Sequence, residues 1–128
     1  MNNDQNTVTY GSYLKVDQLL SLQEPKSNPV APDELLFIVT HQSYELWFRL
    51  VITELDRVIQ LIQNRDLIPA FHLLERVSLV FKSLIQQLDV LETMTPVAFN
   101  QFRARLNPAS GFQSWQFREL ELLAGGTP

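Results

Sequence analysis

Residues 33–48 read DELLFIVTHQSYELWF and decide the fold, because apolar side chains recur through them at helical spacing. From Phe37 to Ile62 apolar side chains recur every three or four residues, which predicts a long helix over about 33–63. Two acidic residues at its start suit the positive end of the helix dipole. The predicted stripe is Phe37, His41, Tyr44, Phe48, Val51, Leu55, Val58 and Ile62. Leu36, Val39, Leu46 and Leu50 lie on another side, so we expect a central helix covered on more than one face.

A second long helix is predicted over about 67–92, after a short break at 64–66. Pro69 is compatible only with its first turn, where the missing N–H has no helical acceptor. Two long helices joined by so short a connection are expected to pack antiparallel. The expected buried stripe of this helix is Phe71, Leu74, Phe81, Leu84, Leu88 and Leu91.

Shorter segments precede the long helices. Residues 1–9 are polar and are expected to form a flexible lead. A helix-compatible pattern follows over 10–22. Residues 23–32 contain three prolines with serine and asparagine, which predicts an irregular connector.

After the long helices, Thr95 and Pro96 suit the cap and first position of another helix, which is expected to end at 107–108. A last short helix is predicted over 112–123, before a pair of glycines. No segment alternates long enough to predict a strand. The sequence therefore predicts an all-α fold, a helical bundle built on two long antiparallel helices, in a single domain over 1–128.

The composition excludes several function classes. The net charge of −4 and the lack of a Lys/Arg cluster argue against a nucleic-acid partner. No run of about 18 apolar residues occurs, so no membrane partner is expected. The absence of cysteine excludes disulfides, Cys-ligated zinc and thiolate-ligated heme, and it is compatible with the reducing cytoplasm, where we expect the protein.

The two histidines differ in context. His41 lies on the most apolar face of the first long helix, with Phe37 one turn before it and Tyr44 one turn after, so a ligand there would meet aromatic walls. From spacing alone a core histidine bonded to a backbone carbonyl, Glu or Tyr is favoured, because buried polar groups are normally satisfied within the fold. His72 is expected to be a partly exposed helix-start residue, and the two together do not form a metal-ligand pattern.

Two further features could bind an anion. Arg103 and Arg105 are two residues apart, so at most one is expected to face a given pocket, and spacing alone equally allows two ordinary surface arginines. Ser110 and Gly111 could form a loop whose backbone amides approach an anionic group, since glycine allows a positive φ and presents no side chain. A plain turn between helices is the simpler interpretation of that loop.

Four blocks of the chain, in order, resemble the heme-dependent tryptophan 2,3-dioxygenase family. Together they cover most of the sequence and are far more specific than any single motif. The blocks are TYGSYL at 9–14 with DQLL at 17–20, DELLFIVTHQSYELW at 33–47, VLETMTP at 90–96 with FR at 102–103, and PASGFQS at 108–114 with QFR at 116–118.

The resemblance implies an all-helical heme enzyme that assembles as a homotetramer and inserts both atoms of O2 into the C2–C3 bond of L-tryptophan, giving N-formylkynurenine. His41 would lie on the distal side of the heme and bond the indole N–H. Phe37 would pack against indole and heme, and Arg103 would bind the substrate carboxylate.

By the same resemblance, Ser110 and Gly111 would lie near a heme propionate and the bound O2. Tyr10 and Tyr13 match tyrosines that reach into a neighbouring subunit's pocket, so oligomerisation would complete the site. Phe99 stands where some members have tyrosine, which removes a hydroxyl from the carboxylate end.

The family's proximal histidine, and a threonine that contacts the substrate ammonium, lie beyond the matched region, and nothing around His72 matches the proximal motif. No metal ligand is therefore assigned, although His41 as the heme ligand is a third, less favoured reading. The alternative function is a truncated, non-catalytic helical module that oligomerises or binds an indole or amino acid. In either case a half-length domain would leave apolar surface uncovered, which predicts a homo-oligomer.

Overall fold

The computed structural model describes residues 7–126, and this part of the chain is helical and contains no strand. The predicted all-α fold is confirmed. Within these residues no helix is long and apolar enough to cross a membrane. The helices are α1 (Tyr10–Leu14), α2 (Val16–Leu19), α3 (Glu34–Gln63), α4 (Leu67–Leu91), α5 (Pro96–Asn100) and α6 (Trp115–Leu123), with 3-10 turns at Arg103–Leu106 and Gly111–Gln113.

The two long helices, α3 and α4, form the antiparallel pair that the sequence predicts. The Tyr44 hydroxyl donates to the carbonyl of Leu84 at 3.0 Å, near the start of α3 and the end of α4. Further along α3, Glu54 pairs with Arg76 at 2.8 Å, much earlier on α4. Residue numbers therefore rise along one helix as they fall along the other, and both predicted helix boundaries agree with the structure to within one residue.

The buried face of α4 differs from the predicted stripe. Of the predicted residues, Leu84 is buried and Leu91 half-buried, while Phe71 is 66% exposed. The stripe was wrong because α4 is apolar on several sides, and the side facing Val51 and Val58 of α3 must carry small or compact side chains for the helices to approach closely. The residues that are buried on α4 are Ala70, Leu73, Val77, Val80 and Leu84.

The cover of α3 is also narrower than predicted. Val51 and Val58 of the predicted stripe are buried, but His41 and Ile62 of the same stripe are exposed. On the second side, Val39 and Leu46 are exposed, and Leu36 and Leu50 are half-buried. Within residues 7–126, α3 is therefore covered mainly on the face that meets α4 and α6.

The segment before the connector is two short helices instead of the single helix pattern predicted over 10–22. Lys15 has φ 53°, in the left-handed region, and this separates α1 from α2. Thr9 caps α1, and its hydroxyl and the Ser12 side chain satisfy each other's backbone N–H groups. Residues 1–6 of the predicted flexible lead lie outside the described residues.

Glu34 orders the irregular connector that the prolines predict. Its carboxylate accepts hydrogen bonds from the N–H of Lys26 at 2.6 Å and from the N–H and hydroxyl of Ser27. The Ser27 hydroxyl in turn accepts from the N–H of Ala31 at 2.8 Å. Burial by itself raises the pKa of Glu34, but the bonds from Ser27 and Lys26 outweigh burial, so the pKa lies below its ordinary value. The start of α3 is thereby tied to the connector.

The helix predicted to run from Pro96 to residues 107–108 stops at Asn100, although Thr95 caps it as expected. Phe102 leaves helical geometry at φ −129°, and its fully buried ring fills space beside Phe37, so packing overrides the local helical pattern. The last helix begins at Trp115 because the Ser114 hydroxyl caps it by accepting from the N–H of Phe117.

Candidate functional site

The imidazole of His41 has one nitrogen bonded and one available. Its Nδ1–H donates to the carbonyl of Phe37 at 2.7 Å, one turn earlier on α3. Because a carbonyl oxygen can only accept, this bond requires a proton on Nδ1, so in the neutral imidazole Nε2 is an acceptor. The expected backbone bond is present, but His41 is exposed, so the core-histidine interpretation favoured by spacing is wrong.

Aromatic rings surround His41 as the spacing predicts. The rings of Phe37 and His41 have centroids 4.2 Å apart, and Tyr44 lies 6.4 Å from His41 on the other side. Phe37 also contacts two rings from the α5 region, Phe99 at 5.7 Å and Phe102 at 5.5 Å. The four phenyl and imidazole rings of Phe37, His41, Phe99 and Phe102 form what we call the aromatic wall.

Arg103 lies at the far end of this wall. Its guanidinium carbon is 5.9 Å from the centroid of the Phe99 ring, a cation–π distance, and Phe99 stacks on Phe37. Among the ion pairs of residues 7–126, none involves Arg103, so its guanidinium donors remain available. Arg105 instead lines a surface groove of about 390 Å³ beside the connector. Only one of the two arginines therefore joins the wall, as predicted.

On its other side His41 borders a surface groove of about 490 Å³ between α2, α3 and α6. The groove is mostly apolar, and Gln42 links α3 to the segment just after α2 by donating to the carbonyl of Leu22 at 2.9 Å. The residues that line it are Leu19, Leu22, His41, Gln42, Glu45, Leu46, Arg49, Trp115 and Gln116.

Ser110 and Gly111 form a compact local turn. The Ser110 hydroxyl accepts from the N–H of Phe112 at 3.2 Å, and the Ser110 N–H donates to the Gln113 side chain at 3.1 Å. Gly111 does not use the positive φ that glycine allows. A Cβ at Gly111 would meet no heavy atom within 4 Å, so its backbone is open to approach.

Three other residues singled out by the sequence lie outside the aromatic wall. Tyr10 and Tyr13 are on α1 and are 79% and 76% exposed. His72 is exposed on α4, as expected, and borders a separate groove with Trp47 and Arg76.

A hydrogen-bonded clasp between α3 and α6 was not found from the sequence. Glu45 accepts from the Ser114 hydroxyl at 2.6 Å and from the Gln116 side chain at 2.8 Å. The partners are 69 and 71 positions apart, so periodicity cannot connect them. The only sequence signal was that both ends of the clasp lie in the blocks quoted above.

The family model described as "Tryptophan 2,3-dioxygenase" matches residues 1–127. The chain belongs to the tryptophan 2,3-dioxygenase family. Proteins named tryptophan 2,3-dioxygenase from Herpetosiphon aurantiacus and a Nocardioides strain are 51% and 53% identical to it over 118 and 122 residues, in each case 92% of this chain. The tryptophan 2,3-dioxygenase of Mus musculus is 48% identical over 88% of the chain. The resemblance stated from the sequence is thus confirmed.

The chain spans less than half the length of these tryptophan 2,3-dioxygenases: 45% and 46% of the two bacterial proteins and 30% of the mouse protein. Among residues 7–126 no cluster of three or more His, Asp or Glu side chains could hold a metal ion. What this family member contributes in the described range is the aromatic wall, with an acceptor at one end and a guanidinium at the other.

Proposed function

We propose that the chain forms the substrate-binding half of a tryptophan 2,3-dioxygenase site and that its ligand is L-tryptophan or a closely related indole. The observation that carries the proposal is the placement of His41 and Arg103 at opposite ends of the aromatic wall. An indole amino acid has an N–H donor at one end, a flat apolar ring, and a carboxylate at the other end. The wall offers a complementary group for each of these.

Each contact has a separate physical reason. The available Nε2 of His41 accepts the indole N–H, which positions the ring without any need for strong base catalysis. The Phe37 ring supports the indole by stacking. The Arg103 guanidinium binds the carboxylate, with geometry suited to two parallel bonds. Together they would orient the indole towards O2, which is the part of the reaction that protein groups can supply.

Heme is the cofactor that the resemblance implies, with Phe37, Ser110 and Gly111 as its proposed contacts. The described residues fit one face of a heme, since they offer an aromatic wall and an open turn. They do not supply a histidine for the other face, because His41 belongs to the wall that forms the first face and His72 borders a different groove. Bound heme would supply O2 activation.

The proposed partners are O2, the indole substrate and further copies of the chain in a homo-oligomer. Exposed rings at Tyr10 and Tyr13 are consistent with the proposed reach into a neighbour's pocket. A cytoplasmic location likewise stays a prediction.

The alternative is a helical module that binds an indole or amino acid without oxidative chemistry. The lack of a second heme face among the described residues favours it. Titration of the purified chain with hemin, followed by its visible absorption with and without L-tryptophan, separates the two functions. A saturable Soret shift that responds to L-tryptophan supports the dioxygenase proposal, and L-tryptophan binding without any such shift supports the module.

The carboxylate contact is tested by Arg103→Ala, with Arg105→Ala as the matched control two residues away. We expect Arg103→Ala to weaken L-tryptophan binding about tenfold, the usual loss for a charge-assisted pair at an exposed site, and to leave tryptamine binding unchanged. Isothermal titration calorimetry measures both. Full-strength binding of L-tryptophan to Arg103→Ala would show that the assignment is wrong.

The indole contact is tested with 1-methyl-tryptophan, which lacks the N–H donor. We expect the wild-type chain to prefer L-tryptophan about fivefold to tenfold, and His41→Ala to bind the two ligands equally. His72→Ala is the control and should keep the preference. An unchanged preference in His41→Ala would contradict the proposed bond.

A further inference from the structure

Glu45 holds the start of α6 against α3, one turn after His41. Its carboxylate accepts from the Ser114 hydroxyl at 2.6 Å and from the Gln116 amide at 2.8 Å, and the same amide nitrogen lies 2.8 Å from the Glu45 backbone carbonyl. Among the ion pairs of the described residues, none involves Glu45. The clasp is therefore a carboxylate held by neutral donors, and both ends of the clasp line the groove beside His41.

The clasp is separate from the apolar contacts that dock α6. Leu120 is buried in the core, and Phe117 lies 6.0 Å from Phe48, so the later turns of α6 are held by packing. The clasp instead acts at the first turn of α6, where the chain arrives from the Ser110–Gly111 turn. The clasp thus adds a polar contact where α6 meets the turn, apart from the packing of its later turns.

The Ser110–Gly111 turn leads directly into the clasp along the chain. Inside it, the N–H of Gln113 donates to the Ser110 carbonyl at 3.0 Å and the N–H of Ser114 donates to the Gly111 carbonyl at 3.1 Å. These bonds are internal to the turn. Within residues 7–126, side-chain hydrogen bonds link this segment to α3 through Ser114 and Gln116, which both donate to Glu45.

We propose that Glu45 is a positioning residue, which fixes the Ser110–Gly111 turn relative to His41 and so sets how the turn meets a ligand bound at the aromatic wall. This inference rests on the proposed function for the identity of that ligand. The inference that Glu45 holds the turn in place depends only on the clasp, and it does not depend on the identity of the ligand.

The donor and acceptor pattern of the clasp can be reversed. A carboxylate only accepts, and it serves both donors at once. Glu45→Gln keeps one acceptor oxygen and turns an NH2 group towards a donor, so one bond is lost. Gln116→Glu places two carboxylates face to face. The double variant, Glu45→Gln with Gln116→Glu, restores a donor opposite an acceptor between the two side chains.

The placement is tested by hydrogen–deuterium exchange of the whole chain, measured by mass spectrometry. We expect exchange in the segment 110–117 to quicken about tenfold in Glu45→Gln and more in Gln116→Glu, and to return towards wild type in the reversed pair. Exchange in α4 should not change. Glu121→Gln, an exposed carboxylate on α6, is the control. Unchanged exchange of the segment in Gln116→Glu would overturn the placement.

The consequence for the ligand is tested by L-tryptophan affinity in the same variants. We expect binding to weaken about threefold to tenfold in each single variant and to recover in the reversed pair, while the preference over 1-methyl-tryptophan, which reports His41, is kept. Loosened exchange with unchanged affinity would overturn the positioning role. If the wild-type chain binds no L-tryptophan, the proposed function and the ligand part of this inference both fail, and the exchange result still decides the placement.

Discussion

The two halves of α3 differ in how far the side chains that matter most in each are covered. In the C-terminal half, Val51 and Val58 are buried against α4, and the carboxylate of Glu54, only 4% exposed, is bonded by Arg57 and Arg76 at 2.9 and 2.8 Å. In the N-terminal half His41 is exposed. We call these the closed half and the open half.

The difference separates the part of α3 that stabilises the fold from the part that is available to bind a ligand. Among residues 7–126 every buried side-chain nitrogen or oxygen has a hydrogen-bond partner, as buried polar groups require. In the open half, by contrast, the Nε2 of His41 is available to a ligand, and so is the guanidinium of Arg103 at the other end of the aromatic wall. A mutation in the closed half should therefore change stability, and one in the open half should change binding.

The largest expected effect is on the face of α4 that covers the closed half. Leu73→Ala removes a buried side chain that packs with Val58 and Ala70, and we expect it to lower the free energy of unfolding by about 3 kcal/mol. Leu79→Ala, at an exposed position on the same helix, should change it by less than about 0.5 kcal/mol. Urea unfolding followed by circular dichroism measures both. Equal losses in the two variants would contradict the assigned buried face of α4.

The charged cluster should have a smaller effect. Glu54→Gln leaves two arginines without their carboxylate, and we expect a loss of about 2 kcal/mol, below the value for a fully buried pair because both guanidiniums are half-exposed. Glu75→Gln is the control, because Glu75 is exposed on α4. A loss no larger than that of the control would mean that the cluster does not stabilise the helix pair.

The same carboxylate predicts a pH dependence. Burial by itself raises the pKa of Glu54, but the hydrogen bonds and charges of Arg57 and Arg76 outweigh it, so the pKa lies below the ordinary value of 4.5. Around and below pH 4.5 the unfolded chain therefore binds more protons than the folded chain. The stabilisation by the Glu54 carboxylate is present above that pH and is lost as the pH falls through the folded pKa. Urea midpoints from neutral pH to about pH 3 should fall less steeply in Glu54→Gln than in wild type. Parallel curves for the two proteins would count against this linkage. Glu34, whose pKa is also lowered, contributes a separate pH dependence that both proteins share.

The smallest expected effect on stability is in the open half. His41→Gln alters an exposed side chain, so the free energy of unfolding should change by less than about 0.5 kcal/mol while L-tryptophan binding weakens. His72→Gln, exposed on α4, should change neither quantity. A loss of stability as large as that of Leu73→Ala would remove the distinction between the two halves.

Much of the fold could be predicted from the sequence because it depends on local interactions. The bounds of α3 and α4 follow from periodicity, and Thr95 caps α5 as predicted. The site was predicted less completely. Phe37 and Tyr44 lie beside His41 because they are one helical turn away, whereas the link from Phe37 through Phe99 to Arg103 joins segments about 60 residues apart and depends on how α5 folds back.

By itself, the sequence determined the all-α class, the two long helices and the membership of the tryptophan 2,3-dioxygenase family. These follow from contacts within one helical turn or from the order of whole motifs. The tertiary structure alone decided which apolar face of α4 is buried, that Phe102 ends the helical path after α5, and that Glu45 meets Ser114 and Gln116. These depend on the distance between helices and on the space left to fill, and a linear pattern with several apolar faces does not specify either.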